Sequence, residues 1–298
     1  MSAVYWLARG GSNLAKWTPQ PLREGLGYTI GTSSYWAWRS KRLVTQLNMA
    51  QVAGKPVNDA RVQYLAHASW RNYGRYAADF MNFANMATED IERSVVDVTE
   101  GANSWLTYLE QARQAGRGII FVSAHFGNWD MAAAILARRI AFSAITETFA
   151  DERLNTLLQN QRKEKGVAII PLEGSPRRIL RVLQQNQLVG LLVDRPVTAK
   201  QGTPVSFFGR TTYVPGGPAA LALKSGAAIL PGFVWYGPRN KLLLRAFPPI
   251  FPQPSGDRSG DIAAVTQRIY DSMEEMVRTW PTQWYMFRQF WPTEGTGV

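Results

Sequence analysis

Gly118-Ile119-Ile120-Phe121-Val122 leads through Ser123-Ala124-His125-Phe126-Gly127-Asn128-Trp129-Asp130 into Met131-Ala132-Ala133-Ala134-Ile135-Leu136-Ala137. The first five residues are a short continuous apolar run, the pattern of a strand buried on both faces. The last seven are apolar and good helix formers, the pattern of a buried helix. A strand that turns directly into a helix is the start of a βα unit. In open α/β sheets, ligands bind at that turn, at the carboxyl end of the strand. One of the two histidines of the chain lies in it.

A histidine titrates near neutral pH and can take a proton from an alcohol. A carboxylate accepting from its far ring nitrogen fixes the tautomer and stabilises the imidazolium. Asp130 follows His125 by five positions and is the local candidate for that carboxylate. The catalytic expectation is therefore a His125–Asp130 dyad with His125 as general base. The plainer alternative is a loop His and an Asp favoured by the helix dipole at the start of a helix. Gly127 permits a tight turn and Asn128 suits a helix cap. The chain has no Cys, and no Ser stands in a G-x-S-x-G turn. A covalent acyl-enzyme is therefore disfavoured relative to direct attack by a substrate hydroxyl.

The strands and helices alternate along the chain. Strands are expected at 95–98, 140–145, 167–170, 188–193, 227–235 and 242–246, and helices at 58–86, 103–115, 151–165, 175–185, 215–224 and 262–279. That order predicts an α/β fold with a mostly parallel central sheet flanked by helices. Asp194 and Arg195 end the apolar strand Leu188–Val193, which places both in the same crevice as His125. Arg195 is suited to hold a phosphate bidentately, with Asp194 orienting it. Arg177, Arg178 and Arg181 lie near a helix start opened by Ser175-Pro176. They suit either a phosphate or a solvated basic face. His67 lacks an acid four residues away and reads as a surface or satisfied core histidine. The aromatic tail Trp280, Trp284, Tyr285, Phe287, Phe290 and Trp291 reads as core, with closure of a groove as the alternative.

Residues 1–55 differ in composition from residues 56–298. Trp6, Trp17, Trp36 and Trp38 stand among Arg9, Lys16, Arg23, Arg39, Lys41 and Arg42, with Glu24 the one acid between them. Tryptophan with Lys and Arg is the composition of a segment lying on an anionic membrane surface. We expect residues 1–55 to be a helical membrane-associating segment, with glycines interrupting any long helix, and residues 56–298 to be the α/β domain; the alternative for residues 1–55 is a helical piece packing on the core.

The whole chain of 298 residues carries 33 Lys and Arg against 22 Asp and Glu, a formal charge of +11. Such basicity points to an anionic partner. Absence of Cys excludes disulfides and thiolate metal sites, and two His without an H-E-x-x-H pattern leave no expected metal. No apolar run reaches the roughly 18 residues of a membrane-spanning helix.

His125-Phe126-Gly127-Asn128-Trp129-Asp130 resembles the first motif of the glycerolipid acyltransferase superfamily. Its wording is similar to the branch of lipid A late acyltransferases and the mycobacterial phosphatidylinositol mannoside acyltransferase. Leu191-Leu192-Val193-Asp194-Arg195, Pro204-Val205-Ser206-Phe207-Phe208-Gly209-Arg210 and Pro215-Gly216-Gly217-Pro218-Ala219 agree with that branch, and the resemblance runs in order to about residue 290. The lipid A enzymes usually begin with a membrane-spanning helix, which this chain does not show.

The resemblance implies an acyltransferase that moves a fatty acyl chain from acyl-CoA or acyl carrier protein, without a further cofactor, to a hydroxyl of a glycolipid or lysophospholipid. It places Glu147 near the site, with a solvated loop acid as the alternative reading; Asn128, Glu147, Asp194, Arg195, Arg177 and Arg178 are together the substrate-binding candidates. It implies a monomer at the cytoplasmic face of the bacterial cell membrane, held there peripherally by anionic lipids. Two rival readings stay open: a thioesterase or lipid hydrolase using the same dyad on water, and, more remotely, a nucleic-acid binder. Scattered basic residues and the absence of a known nucleic-acid module speak against the last, so no nucleic acid is expected.

Overall fold

A computed structural model describes residues 3–101, 103–173 and 175–292. Four helices come first: α1 (Ala3–Ala15), α2 (Gln20–Ala37), α3 (Arg39–Ala53) and α4 (Ala60–Asn82). After the short α5 (Thr88–Ser94) and β1 (Val95–Asp97), helices and strands alternate. They are α6 (Trp105–Gln114), β2 (Ile119–Ser123), α7 (Trp129–Ala137), β3 (Phe142–Thr146), α8 (Glu152–Lys163), β4 (Val167–Pro171), α9 (Ser175–Gln184) and β5 (Leu188–Leu192). A hairpin, β6 (Thr203–Phe207) and β7 (Arg210–Val214), precedes α10 (Gly217–Ser225), β8 (Ala228–Tyr236), β9 (Leu242–Ala246) and α11 (Arg258–Thr279).

Seven strands form one sheet in the order β1-β9-β8-β2-β5-β3-β4. Every neighbouring pair is parallel except β8 with β9. The expected α/β fold with a mostly parallel sheet is therefore found. β2 lies at the centre between β8 and β5, and all five of its residues are buried, which is why its sequence is continuously apolar rather than alternating.

The alternation of side chains along β2 divides the core. Ile119 and Phe121 pack with α6 and α7 on one face. Ile120 and Val122 pack with α9, α10 and α11 on the other. The strand thus delivers its carboxyl end, and His125 beyond it, to a rim with helices on both sides.

The N-terminal glycines act differently from the expectation. Gly27 and Gly31 lie inside α2, where they meet Gly74 of α4. A Cβ on Gly74 would stand 2.0 Å from the Gly27 carbonyl oxygen, and a Cβ on Gly31 2.2 Å from the Trp70 carbonyl oxygen. The glycines therefore do not break the helix. They let two helix backbones approach to contact, and that gain in packing offsets the modest helix propensity of Gly. Met49 and Val52 of α3 also enter the main core, and the Asn48 amide donates to the carbonyls of Met286 and Arg288.

Arg23, counted among the interfacial basic residues, is buried and paired with Asp79, and Arg75 is paired with Glu24. The outward face is apolar. Leu22, Leu26 and Ile30 form an i, i+4, i+8 stripe on α2, with Trp6, Leu7 and Leu14 on α1, Trp17 between them, and Trp36 and Trp38 at the α2–α3 junction; Trp17 is 84% exposed. Arg42 stacks on Trp36, its guanidinium carbon 5.2 Å from the ring centroid. Among the described residues no helix is long and apolar enough to cross a membrane.

The β6–β7 hairpin was not anticipated. Phe208 and Gly209 turn it, with φ of 51° and 71°. A two-residue loop with positive φ at both positions matches strand twist, but a Phe at the first of them is a poor sequence signal for that turn.

Candidate active site

The chain leaves β2 at Ser123 and reaches α7 at Trp129 through a turn that only one residue type can make. Gly127 has φ +58°. A Cβ there would lie 2.2 Å from the Val234 carbonyl oxygen and 2.5 Å from the Trp235 Cα, so the turn is pressed against β8. Asn128 caps α7, its side chain accepting from Met131 N at 3.1 Å and donating to the Tyr236 hydroxyl at 2.8 Å. Asn128, a sequence candidate for a substrate contact as well as a cap, is buried, and both ends of its amide make hydrogen bonds within the protein.

The turn's own amides are occupied as well. His125 N donates to Asp194 Oδ2 at 2.9 Å. Phe126 N donates to Ala124 O, Gly127 N to Gln283 O and Asn128 N to Val234 O. These four donors hold the turn in place.

His125 is part-exposed and its Nδ1 lies 2.7 Å from Asp194 Oδ1. Asp194, just past the end of β5, is fully buried. Besides the ring and main chain of His125, it accepts from the indole Nε1 of Trp284 at 3.0 Å. The neighbouring backbone is fixed by the Tyr270 hydroxyl, which donates to Val193 O at 2.6 Å. Burial, with the Asp194 charge close by, pushes the Tyr270 phenol well above its ordinary range, so it stays protonated and donating. With Nδ1 committed to Asp194, Nε2 makes no hydrogen bond among the described residues.

This corrects the pairing expected from spacing. The carboxylate on the His125 ring is Asp194, not Asp130. Asp130 Oδ1 accepts from Arg162 Nε at 2.6 Å, and Oδ2 accepts from the Tyr76 hydroxyl at 2.7 Å. In the first turn of α7 the Asp130 side chain is buried against α8 and α4. Burial alone would lower the Arg162 guanidinium, but Asp130 and Tyr76 outweigh it and hold it above its usual value. Burial and the adjacent carboxylate raise the Tyr76 phenol well above its usual value. Arg162 and Tyr76 were not singled out from sequence. They sit in an ordinary charged helix and an ordinary amphipathic one, and no local pattern marks them.

Glu147, one residue past β3, is ion-paired with Arg195 Nη1. The structure thus brings together two residues proposed separately, at the rim beside Asp194. Burial, then the nearby Arg288, lowers the Arg195 guanidinium below its ordinary value. Arg288 was not anticipated; it belongs to the C-terminal segment whose Tyr285 N donates to His125 O at 2.8 Å. Arg177 and Arg178 are exposed on α9 after the edge strand β4. Three strand spacings, about 14 Å, separate β4 from β2, and neither arginine is bonded to His125, Asp194 or Arg195. His67 is half-buried on α4, 3.3 Å from the Thr32 hydroxyl, as a satisfied structural histidine should be. Among the described residues no group of three or more His, Asp or Glu is arranged to hold a metal ion.

A mainly apolar pocket opens between α7 and the sheet, directly below the turn. Ser123, Thr146 and Leu192 line its upper part with Trp129 and Asp130, and Phe121, Phe142, Gly190 and Ala133 line it farther in. Small side chains at 123, 133, 144 and 190 make the space.

The sequence of the whole site matches the model of the bacterial lipid A biosynthesis acyltransferases, over residues 1–293. The chain belongs to that family. The acyltransferase is 32% identical over 249 residues to the phosphatidylinositol mannoside acyltransferase of Mycobacterium tuberculosis (strain CDC 1551 / Oshkosh), covering 82% of this chain and 75% of the relative. The corresponding enzyme of Mycolicibacterium smegmatis (strain ATCC 700084 / mc(2)155) is 29% identical over 289 residues, covering 94% of this chain and 89% of that one. The His125–Asp194 pair and the apolar pocket lie close together at the carboxyl ends of the central strands β2 and β5.

Proposed function

We propose that the acyltransferase transfers a fatty acyl chain from a thioester, acyl-CoA or acyl carrier protein, to a sugar hydroxyl of a glycolipid, with His125 as general base. The hydrogen bond between His125 Nδ1 and Asp194 Oδ1 carries the reading. It sets the tautomer whose Nε2 accepts a proton and stabilises the imidazolium that results.

The acceptor hydroxyl gives its proton to Nε2 as its oxygen attacks the thioester carbonyl. The tetrahedral intermediate collapses, the C–S bond breaks, and the imidazolium returns the proton to the departing thiolate. The product is an ester and a free thiol, and His125 is neutral again. Proton transfer of this kind contributes about 10²–10⁴-fold, so positioning and charge stabilisation supply the rest. Arg195, at the rim beside Asp194, is the side-chain donor suited to the oxyanion or to a phosphate of donor or acceptor. The acyl chain lies in the apolar pocket under α7. The apolar face of α1 and α2, rimmed by Arg and Lys, rests on the cytoplasmic surface of the bacterial membrane, where the acceptor lipid resides. The family's membrane association and the exposed tryptophans support that placement.

The test is acyl transfer from labelled acyl-CoA and labelled acyl carrier protein to a glycolipid in mixed vesicles, by the wild-type protein and His125→Ala. Transfer by the first and none by a folded His125→Ala is expected. A folded His125→Ala at the wild-type rate would sink the mechanism. Release of free fatty acid at the same rate with and without acceptor would show a hydrolase instead.

A further inference from the structure

We infer that Trp284 is a positioning residue of the transfer reaction, its indole N–H holding the Asp194 carboxylate so that Oδ1 faces the His125 ring. The inference rests on the reading of His125 as the base. A carboxylate turns easily about its terminal bond, whose preference is broad and two-fold. In this structure its two oxygens have different partners. Oδ2 accepts from His125 N at 2.9 Å and from Trp284 Nε1 at 3.0 Å. Oδ1 is left for His125 Nδ1 at 2.7 Å. Trp284 is the one side chain other than His125 that donates to Asp194 among the described residues. The nearby charges are engaged elsewhere: Arg195 with Glu147, and Arg162 with Asp130.

The indole is itself held firmly. Trp284 has no solvent exposure and its ring lies 5.2 Å from that of Phe290 and 5.8 Å from that of Phe207. Its carbonyl accepts from Ser69 Oγ at 2.7 Å. Residues 283–285 run along the His125 turn, with Gly127 N donating to Gln283 O, Tyr285 N to His125 O, and an antiparallel bridge between Phe126 and Trp284. The same strap that lines the turn therefore fixes the group that orients its carboxylate. A buried carboxylate needs donors to offset its lost hydration, and a charge-assisted bond from the indole supplies one.

The decisive variant replaces the Trp284 indole by benzothiophene, which keeps the shape and removes the N–H; Trp284→Phe is made alongside. Acyl transfer, melting temperature and circular dichroism are measured for both and for His125→Ala. A hydrogen bond to a charged group is worth enough that kcat should fall about 10- to 100-fold in the benzothiophene protein. The KM values for donor and acceptor should stay within about twofold, because the indole touches no substrate. Wild-type kcat in that protein, with His125→Ala inactive, overturns the role of Trp284 and leaves the base assignment standing. Wild-type transfer by folded His125→Ala overturns both.

Discussion

Asp194 Oδ1 stands 2.7 Å from His125 Nδ1 although 69 positions separate the two residues in the chain. Both lie past the carboxyl ends of adjacent parallel strands, β2 and β5, whose register pairs Ser123 with Leu192. The pairing follows from the sheet: two strands in register bring their exits together. Asp194→Asn should therefore lower kcat strongly, by about 10²–10⁴-fold, because an amide cannot stabilise the imidazolium and favours the wrong tautomer. Steady-state kinetics on the folded variant check it; wild-type kcat would refute the dyad.

Asp130 should behave differently. Its carboxylate is paired with Arg162 in a buried setting, with side-chain exposures of 3% and 15%. Asp130→Asn leaves Arg162 uncompensated, and breaking a buried pair from one side costs about 3–5 kcal/mol. The variant should melt well below the wild type, by calorimetry. An unchanged melting temperature would show that the pair holds nothing together.

Arg195→Ala should reduce transfer and Arg195→Lys should not restore it fully, since a point charge cannot reproduce a planar bidentate contact. Arg178→Ala, on an exposed helix face, should leave kcat and KM near wild type. Equal losses in Arg195→Ala and Arg178→Ala would argue for diffuse attraction instead of a seat at the rim.

The pocket under α7 should set chain length. The Phe142 ring packs so closely on Gly190 that a Cβ there would lie 2.5 Å from its Cζ. Phe142→Ala should shift the preferred acyl chain toward greater length, and Ala144→Leu toward shorter chains, by competition between acyl-CoA donors. An unchanged preference in both would place the acyl chain elsewhere.

The exposed tryptophans of the N-terminal helices should bind anionic vesicles. Point variants test this better than truncation, because α2 lies in backbone contact with α4. Trp17→Ser with Trp36→Ser should weaken vesicle flotation without changing the far-ultraviolet spectrum. Added salt should weaken it as well, each basic residue near the surface contributing about 1 kcal/mol. Equal flotation by the double variant would remove this face from the interface.

His67 gives a pH signature. Burial, then the nearby Arg71, lowers it below its ordinary value of 6.5. A histidine depressed in the folded state contributes stability that is present above its unfolded value and is lost as pH falls through the folded value. The wild type should therefore lose stability below about pH 6.5 more steeply than His67→Gln, by thermal melts across that range. Parallel slopes would contradict this.

Much was decided by local pattern alone. Buried parallel strands must be continuously apolar and must alternate with helices, so the sheet, the βα turn at His125 and the rim position of Arg195 were legible from residues such as Ile119–Val122 and Leu188–Val193. The family wording at residues 125–130 and 204–219 was equally local. What tertiary structure alone decided is which side chains meet. His125 has a carboxylate five residues away and another on the neighbouring strand exit, and spacing favours the first. Arg162 from α8 and Tyr76 from α4 take Asp130, while the β2–β5 register and the Trp284 strap deliver Asp194. Partners set by strand register and helix crossings are non-local, and no periodicity within one segment encodes them. The same holds for Gly27, Gly31 and Gly74: each alone is a weak helix residue, and only the crossing of α2 and α4 makes them a contact.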